Sequence, residues 1–134
     1  MSFIKLTPEE SINVAIIDDQ HKSIANIVNN IHQQLAIHNK QVITQLLNSL
    51  IEEIEIHFET EEKMMKDTKF LGYFSHKLEH DRFYNQMLQT VNGYKANPTF
   101  IDEDKLIGIK KWLFNHIELS DKKCGVHFNT VGIS

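Results

Sequence analysis

The chain has 134 residues, of which 41% are hydrophobic, and its formal net charge is −4. This size and composition are typical of one folded domain, so we expect a single domain over residues 1–134. Arg82 is the only arginine and the lysines are scattered, which argues against nucleic acid or an anionic membrane surface as a partner. No apolar run approaches the ~20 residues that cross a bilayer. Cys124 is the only cysteine, which excludes an intrachain disulfide and favours a reducing cytoplasm.

The first segment, residues 1–17, predicts a non-helical arm laid over the core. It contains Pro8 and only short apolar patches. Asp18 or Asp19 then supplies a good N-cap, because a carboxylate accepts hydrogen bonds from the free backbone amides of a first helical turn.

Four segments follow in which apolar residues recur in steps of three and four, the pattern of a helix with one buried face. They cover about 18–38, 41–65, 74–96 and 102–119. Asn97-Pro98 ends the third helix, since a proline disfavours helical backbone in the residue before it. Thr99 or Asp102 caps the fourth helix.

Residues 122–134 contain Gly125 and Gly132 and predict a short tail. No stretch shows the alternation of a β-strand. Four amphipathic helices with short connections predict an all-α, antiparallel up-down-up-down four-helix bundle with an N-terminal arm and a C-terminal tail.

Seven imidazole and carboxylate residues lie near the ends of these predicted helices. They are His21, His57, Glu61, His76, His80, His116 and Asp121. In an alternating bundle, the starts of helices one and three lie beside the ends of helices two and four. The seven residues are therefore expected to converge in one layer at one end of the molecule.

The spacing within the set indicates which residues act together. His76 and His80 are four apart, as are His57 and Glu61, so each pair lies on one helix face with Cβ atoms about 6 Å apart. The first pair can chelate one metal ion, and the second can serve one ion and a bridge.

His116 and Asp121 are five apart, which corresponds to a rotation of roughly 140° on a regular α-helix. Both can face inward only if the fourth helix ends or loosens before Asp121. We predict such an end near Leu119 and Ser120.

The residue types of this set favour a transition metal. Imidazole with a minority of carboxylate suits iron, zinc, copper or nickel rather than magnesium or calcium, and seven ligands are too many for one tetrahedral ion. The alternative is polar packing in the core, where each unpartnered group costs roughly 1–3 kcal/mol. A small domain has only about 5–15 kcal/mol of stability, so two bound metal ions are the better interpretation.

The remaining histidines and the cysteine are expected to lie outside this site. His32 lies on the inner face of the first helix but about 16 Å along the axis from His21. His38 is in the last turn of that helix, and His127 is predicted to be solvated in the tail. Cys124 follows Asp121 closely but is interpreted as a thiol that binds no metal.

The motifs that carry these residues resemble those of the hemerythrin family in its bacterial single-domain form. The resemblance covers nearly the whole chain. The matching stretches are Ile17-Asp18-Asp19-Gln20-His21-Lys22, His57-Phe58-Glu59-Thr60-Glu61-Glu62, His76-x-x-x-His80-Asp81-x-Phe83 and Trp112-x-x-x-His116-Ile117-x-x-x-Asp121.

The resemblance implies a non-heme diiron centre that binds dioxygen reversibly for storage, delivery or sensing. It implies that one iron is bound by His76, His80 and His116. The other is bound by His21 and His57 and keeps an open position. Glu61 and Asp121 would bridge the two ions together with an oxo or hydroxo group. Gln20 and Glu62 are candidates for orienting the imidazoles.

Three functions stay open on the sequence alone. The first is oxygen binding without catalysis, by a monomer with an oxygen-consuming enzyme as a possible recipient. The second is a diiron oxidase, peroxidase or nitric-oxide-handling enzyme on the same scaffold. The third is an interaction module stabilised by a metal such as zinc. Loading with iron under anaerobic conditions, followed by air, separates the first two functions, and metal analysis separates the third.

Overall fold

Five α-helices form the molecule, described over residues 2–134 in a computed structural model. They are α1 (Ala15–Leu35), α2 (Lys40–Asp67), α3 (Tyr73–Ala96), α4 (Glu103–His116) and α5 (Lys122–Thr130). Two 3₁₀ turns, Pro8–Glu10 and Pro98–Phe100, precede α1 and α4, and a π-helical turn, Ile117–Asp121, joins α4 to α5. Among the described residues no helix has both the length and the apolar character needed to cross a membrane.

The first four helices pack as the predicted antiparallel bundle. Short connections at 36–39, 68–72 and 97–102 reverse the chain, and α2 packs against both α1 and α3, while α4 packs against α1. One face of each helix is buried, as the apolar periodicity predicts, with core residues that include Val28, Ile31, Leu47, Leu50, Met87, Val91 and Leu106. This all-α bundle confirms the predicted fold class.

The start of α1 differs from the prediction. The helix begins at Ala15 after Val14, and Asp18 lies inside its first turn rather than at its cap. The Asp18 carboxylate instead accepts hydrogen bonds from Ser11 Oγ at 2.6 Å and from the Ile12 backbone amide at 2.9 Å. The acidic residue that resembled a helix cap therefore holds the arm against the bundle.

The first helix ends at Leu35 rather than near residue 38 as predicted, whereas two predicted boundary residues further along the chain lie where they were expected. Asn97 follows the last residue of α3, and Asp102 caps α4 by accepting a hydrogen bond from the Lys105 amide at 3.0 Å.

The predicted end of the fourth helix is wrong, but the loosening that the spacing required is present. The chain does not stop near Leu119 and Ser120; it widens into the π-turn and continues into α5. In a π-turn each amide bonds five residues back instead of four, so residues five apart lie above one another. His116 and Asp121 therefore share one face without a break in the helix, and both are buried.

The predicted C-terminal tail from residue 122 is also wrong over most of its length, because α5 continues to Thr130. Cys124 and Phe128, four residues apart in α5, are fully buried. Gly125, one of the two glycines in the predicted tail, lies inside α5 and allows close packing: a Cβ there would lie 2.6 Å from the Ile12 carbonyl oxygen. The glycine lets the arm and α5 come into contact.

Candidate metal centre

The seven predicted residues meet in one buried cluster at the end of the bundle where α2 ends and α3 begins. Each of the seven residues is between 0 and 5% exposed. α1 contributes His21, and the second half of α2 contributes His57 and Glu61. Burying this many polar groups in a bundle of this size is unfavourable unless they bind one another or a cation.

The cluster divides into two overlapping groups. In the first, ligand atoms of Glu61, His76, His80, His116 and Asp121 all lie within 4.8 Å of one another. In the second, the same holds for His21, His57, Glu61 and Asp121. The two carboxylates belong to both groups.

Three imidazoles of the first group aim the same nitrogen at one point. The Nε2 atom of His116 lies 3.1 Å from the Nε2 atoms of both His76 and His80. Neighbouring ligands at right angles around an ion, with metal–nitrogen bonds of about 2.1 Å, lie about 3.0 Å apart. The spacing therefore fits three nitrogens on one face of a metal ion.

Several buried polar atoms of the cluster have no hydrogen-bond partner. Both nitrogens of His21 and all four carboxylate oxygens of Glu61 and Asp121 are in this state. His21 Nε2 lies 3.0 Å from Asp121 Oδ2, but the pair does not have hydrogen-bond geometry. Buried polar groups in native proteins are nearly always satisfied, so these atoms fit a bound cation.

Charge in the cluster is arranged so that the carboxylates stay ionised. Burial opposes the charged form of Asp121, but His116 and its neighbours hold the pKa of that carboxyl well below its usual range. Burial and Asp121 likewise oppose ionised Glu61, but the close contacts with the imidazoles of His76 and His80 outweigh them and lower the pKa of Glu61. Burial lowers the pKa of His57 to about 4, so this imidazole is neutral at pH 7, as a metal ligand must be.

His76 shows the opposite effect. Burial disfavours its imidazolium, but Asp121 and Glu61 outweigh burial and raise the pKa of His76 to about 10. A proton on this ring and a metal cation would neutralise the same two carboxylates, so binding of a metal displaces the proton.

A chain of hydrogen bonds fixes the orientation of His57. Thr60 Oγ1 donates its proton to the Ile56 carbonyl at 2.8 Å, so it can only accept from the Gln20 amide nitrogen at 3.0 Å. The Gln20 oxygen therefore faces His57 Nδ1, 2.9 Å away, and accepts its proton. His57 Nε2 is left with its lone pair directed toward the cluster.

Two further imidazoles meet carboxylates instead of an amide. His80 Nδ1 donates to Glu62 Oε2 at 2.9 Å, and His116 Nδ1 lies 2.9 Å from Glu79 Oε2. Gln20 and Glu62 were predicted to orient imidazoles; Glu79 was not singled out. Its position three residues after His76, on the helix that carries two histidines, was the available signal.

Aromatic rings pack against the faces of two of the histidines. Phe58 stacks on His80 with ring centroids 3.8 Å apart, and Trp112 stacks on His116 at 4.5 Å. Phe83 in turn stacks on Trp112, with ring centroids 3.7 Å apart.

An apolar cavity of about 10 Å³ adjoins the cluster, close to the minimum that holds one small molecule the size of water. His57, His116 and Asp121 form its polar edge. Its other lining residues are apolar or aromatic, namely Ile24, Ile54, Phe58, Phe83, Ile109, Trp112 and Leu113.

The remaining histidines lie outside the cluster. His32 Nε2 lies 3.2 Å from Glu103. His38 was predicted in the last turn of the first helix, but it is exposed in the connection after α1 with φ of 57°. His127, predicted to be solvated, is half-buried, with Nε2 3.0 Å from the Thr68 carbonyl oxygen.

Cys124 is in neither group of ligand atoms. Burial, with Glu61 and Asp121 nearby, raises the pKa of its thiol far above the usual range. It therefore stays protonated, and the metal-binding form of cysteine is the thiolate.

Comparison with known proteins identifies the family. The family model for the hemerythrin HHE cation binding domain matches residues 13–124, which is most of the chain and includes all seven clustered residues. The chain belongs to the hemerythrin family.

Relatives within the hemerythrin family match along most of their length. A bacteriohemerythrin from Methylococcus capsulatus is 32% identical over 117 residues, which is 87% of this chain and 89% of the relative. A myohemerythrin from Theromyzon tessulatum is 31% identical over 107 residues, 80% of this chain and 78% of the relative.

Solved hemerythrin structures have the same fold. The crystal structure of wild-type hemerythrin superposes with a TM-score of 0.88 at 31% identity, covering 93% of this chain and 97% of the other. The suspected family resemblance is thereby confirmed.

Proposed function

We propose that this chain binds dioxygen reversibly at a non-heme diiron centre. The observation that carries the proposal is the pair of overlapping ligand groups that share Glu61 and Asp121. Bacteriohemerythrins and a myohemerythrin are its relatives, and hemerythrins are oxygen-binding proteins rather than enzymes. The donor set of imidazoles with a minority of carboxylates also suits iron.

In this proposal each group of residues holds one iron. His76, His80 and His116 hold the first, and His21 and His57 hold the second. The spacing of the three Nε2 atoms supports the first assignment, and the free lone pair of His57 Nε2 supports the second. The unpartnered oxygens of Glu61 and Asp121 support a bridging role for both carboxylates.

A reduced iron pair supplies the electrons for reversible dioxygen binding, and the protein controls what surrounds it. The second group offers one imidazole fewer than the first, so its ion has more room for an added ligand. The apolar cavity reaches His57 of that group, and it also touches His116 of the other group and the shared Asp121. Trp112 and Phe58 exclude water along its wall, which disfavours the release of charged, reduced oxygen species.

The test is an absorption spectrum of the iron-loaded protein, recorded with dioxygen and again after its removal. We expect two irons per chain and a colour that disappears and returns with oxygen. His57→Ala should lose the oxygen-dependent colour. His38→Asn is the matched control, because it replaces an exposed histidine at positive φ with a residue that accepts that backbone conformation. Irreversible bleaching, or repeated turnover with a reductant, would contradict the proposal in favour of an oxidase or peroxidase. Zinc alone in the purified protein would also contradict it.

The proposal extends to the setting of the protein. We infer a monomer that acts in the cytoplasm and passes oxygen to an oxygen-consuming enzyme. The antiparallel bundle covers its own core, which supports the monomer, and the single cysteine supports a reducing compartment. Light scattering of the loaded protein tests the monomer directly.

A further inference from the structure

The two halves of the cluster differ in the charge that faces the outer nitrogens of their imidazoles. In the three-histidine half these partners are carboxylates. His80 Nδ1 donates to Glu62 at 2.9 Å, and His116 Nδ1 lies 2.9 Å from Glu79. Ser120, inside the π-turn, donates to the same Glu79 oxygen at 2.6 Å and fixes its position.

In the two-histidine half no carboxylate of residues 2–134 lies within hydrogen-bond distance of an outer nitrogen. His57 Nδ1 donates to the neutral amide oxygen of Gln20, and His21 Nδ1 has no hydrogen-bond partner among residues 2–134. Asp18 lies one turn before His21, but Ser11 and the Ile12 amide occupy its two oxygens.

This difference changes the strength of the metal ligands. A carboxylate that accepts the outer N–H of an imidazole fixes its tautomer and raises its basicity toward a cation. Charge-assisted hydrogen bonds are also roughly twice as strong as neutral ones. Lys77 offsets Glu62 only weakly, since it lies 3.5 Å away and is itself partly exposed.

We propose that Glu62 and Glu79 are positioning residues that make the three-histidine half the tighter metal site, while Gln20 keeps the two-histidine half the weaker and later-filled site. The inference rests on the proposed function, because it requires that the cluster binds two ions. The unequal number of imidazoles favours the same order of filling. Variants at these three positions separate the two causes, since they leave all seven ligands in place.

The experiment is a titration of the chelator-treated protein with Co²⁺, followed by calorimetry and visible absorption. The unsubstituted protein should bind two ions in two steps, the first tighter. Glu62→Gln keeps the shape and an acceptor oxygen but removes the charge, so it should weaken the first step by about 10–100-fold and leave the second unchanged. Glu79→Gln should weaken the same step by less, since its side chain is 45% exposed.

The reverse change tests the other half. Gln20→Glu places a carboxylate against His57 and should tighten the second step by about tenfold, which narrows the gap between the two steps. Glu59→Gln is the matched control for the two Glu→Gln variants. It removes one negative charge from an exposed position on α2 and should change the affinity of neither binding step.

Proton NMR of the Co²⁺ protein reports which half fills first. A paramagnetic ion shifts the imidazole N–H protons of its own ligands far outside the normal range. At one equivalent, the shifted N–H signals should be those that change in Glu62→Gln and Glu79→Gln. The signal that changes in Gln20→Glu should appear only with the second equivalent. A purely structural role for the glutamates would weaken both steps together.

The outcomes separate the two proposals. Two steps of equal affinity, or an equal loss in both steps for Glu62→Gln, would overturn the inference and leave the metal centre standing. Failure of the unsubstituted protein to bind Co²⁺ would overturn the metal centre itself. A step-selective loss with an unchanged second step supports the inference.

Discussion

Removing the metal should destabilise this protein strongly, because the cluster leaves three buried side chains without hydrogen-bond partners. Both nitrogens of His21 and all four oxygens of Glu61 and Asp121 are in this position. An unsatisfied buried polar group costs about 1–3 kcal/mol, so three side chains correspond to roughly 3–9 kcal/mol. This is a large part of the ~5–15 kcal/mol that stabilises a domain of this size.

The lower half of that range is the better expectation. The raised pKa of His76, about 10, puts a proton on this imidazole at neutral pH when no cation competes for Glu61 and Asp121. The resulting imidazolium compensates the carboxylates in part. At about 3–5 °C per kcal/mol for a chain of this length, a loss of roughly 3–5 kcal/mol lowers Tm by about 10–25 °C.

The assay is calorimetric melting of the iron-loaded protein, of the chelator-treated protein, and of the treated protein after metal is added back. Added metal should restore the higher Tm. The double variant Glu61→Gln/Asp121→Asn lacks both shared carboxylates, so its Tm should not respond to metal. Equal Tm values for the loaded and the treated forms of the unsubstituted chain would refute the reasoning.

Three further predictions follow from particular contacts. Gly125→Ala should destabilise the protein by about 1–3 kcal/mol in urea unfolding, because a Cβ there meets the Ile12 carbonyl oxygen at 2.6 Å. Gly108→Ala is its control and should stabilise by about 0.5–1 kcal/mol, since nothing lies within 4 Å of that Cβ; loss of stability there would contradict the packing argument. His57→Ala should lower bound iron from two ions per chain toward one, measured by metal analysis, and two retained ions would refute the ligand assignment. Trp112→Ala should speed autoxidation of the oxygenated protein several-fold in a timed absorption measurement, because it opens the cavity wall to water; an unchanged rate would remove Trp112 from that role.

The sequence predicts the bundle and the meeting point of the seven residues because both depend on local periodicity. Apolar steps of three and four place the inner faces of α1 to α4, and alternation of helix direction then brings their polar ends together. His76 and His80 share a face by spacing alone.

The parts that differ from the prediction depend on contacts between distant segments. Asp18 has the residue type of a helix cap, but its oxygens bind Ser11 and Ile12 in the arm. Gly125 has the residue type of a helix breaker, but its missing side chain makes room for the arm. Neither role can be recognised without knowing that the N-terminal arm packs against Asp18 and Gly125.

The π-turn could be predicted only in part. The five-residue interval from His116 to Asp121 required an irregularity, and the sequence did not specify its form. The structure widens the helix by one residue per turn rather than ending it, which keeps α5 in line to bury Phe128.

Complete enclosure of the seven side chains, none more than 5% exposed, has a kinetic consequence. Because the ligands are this buried, we expect exchange of a bound ion to require that the chain parts locally, and the π-turn with α5 is the segment whose parting would free Asp121. The lifetime of bound iron would then report the rate of local unfolding rather than the strength of each metal–ligand bond.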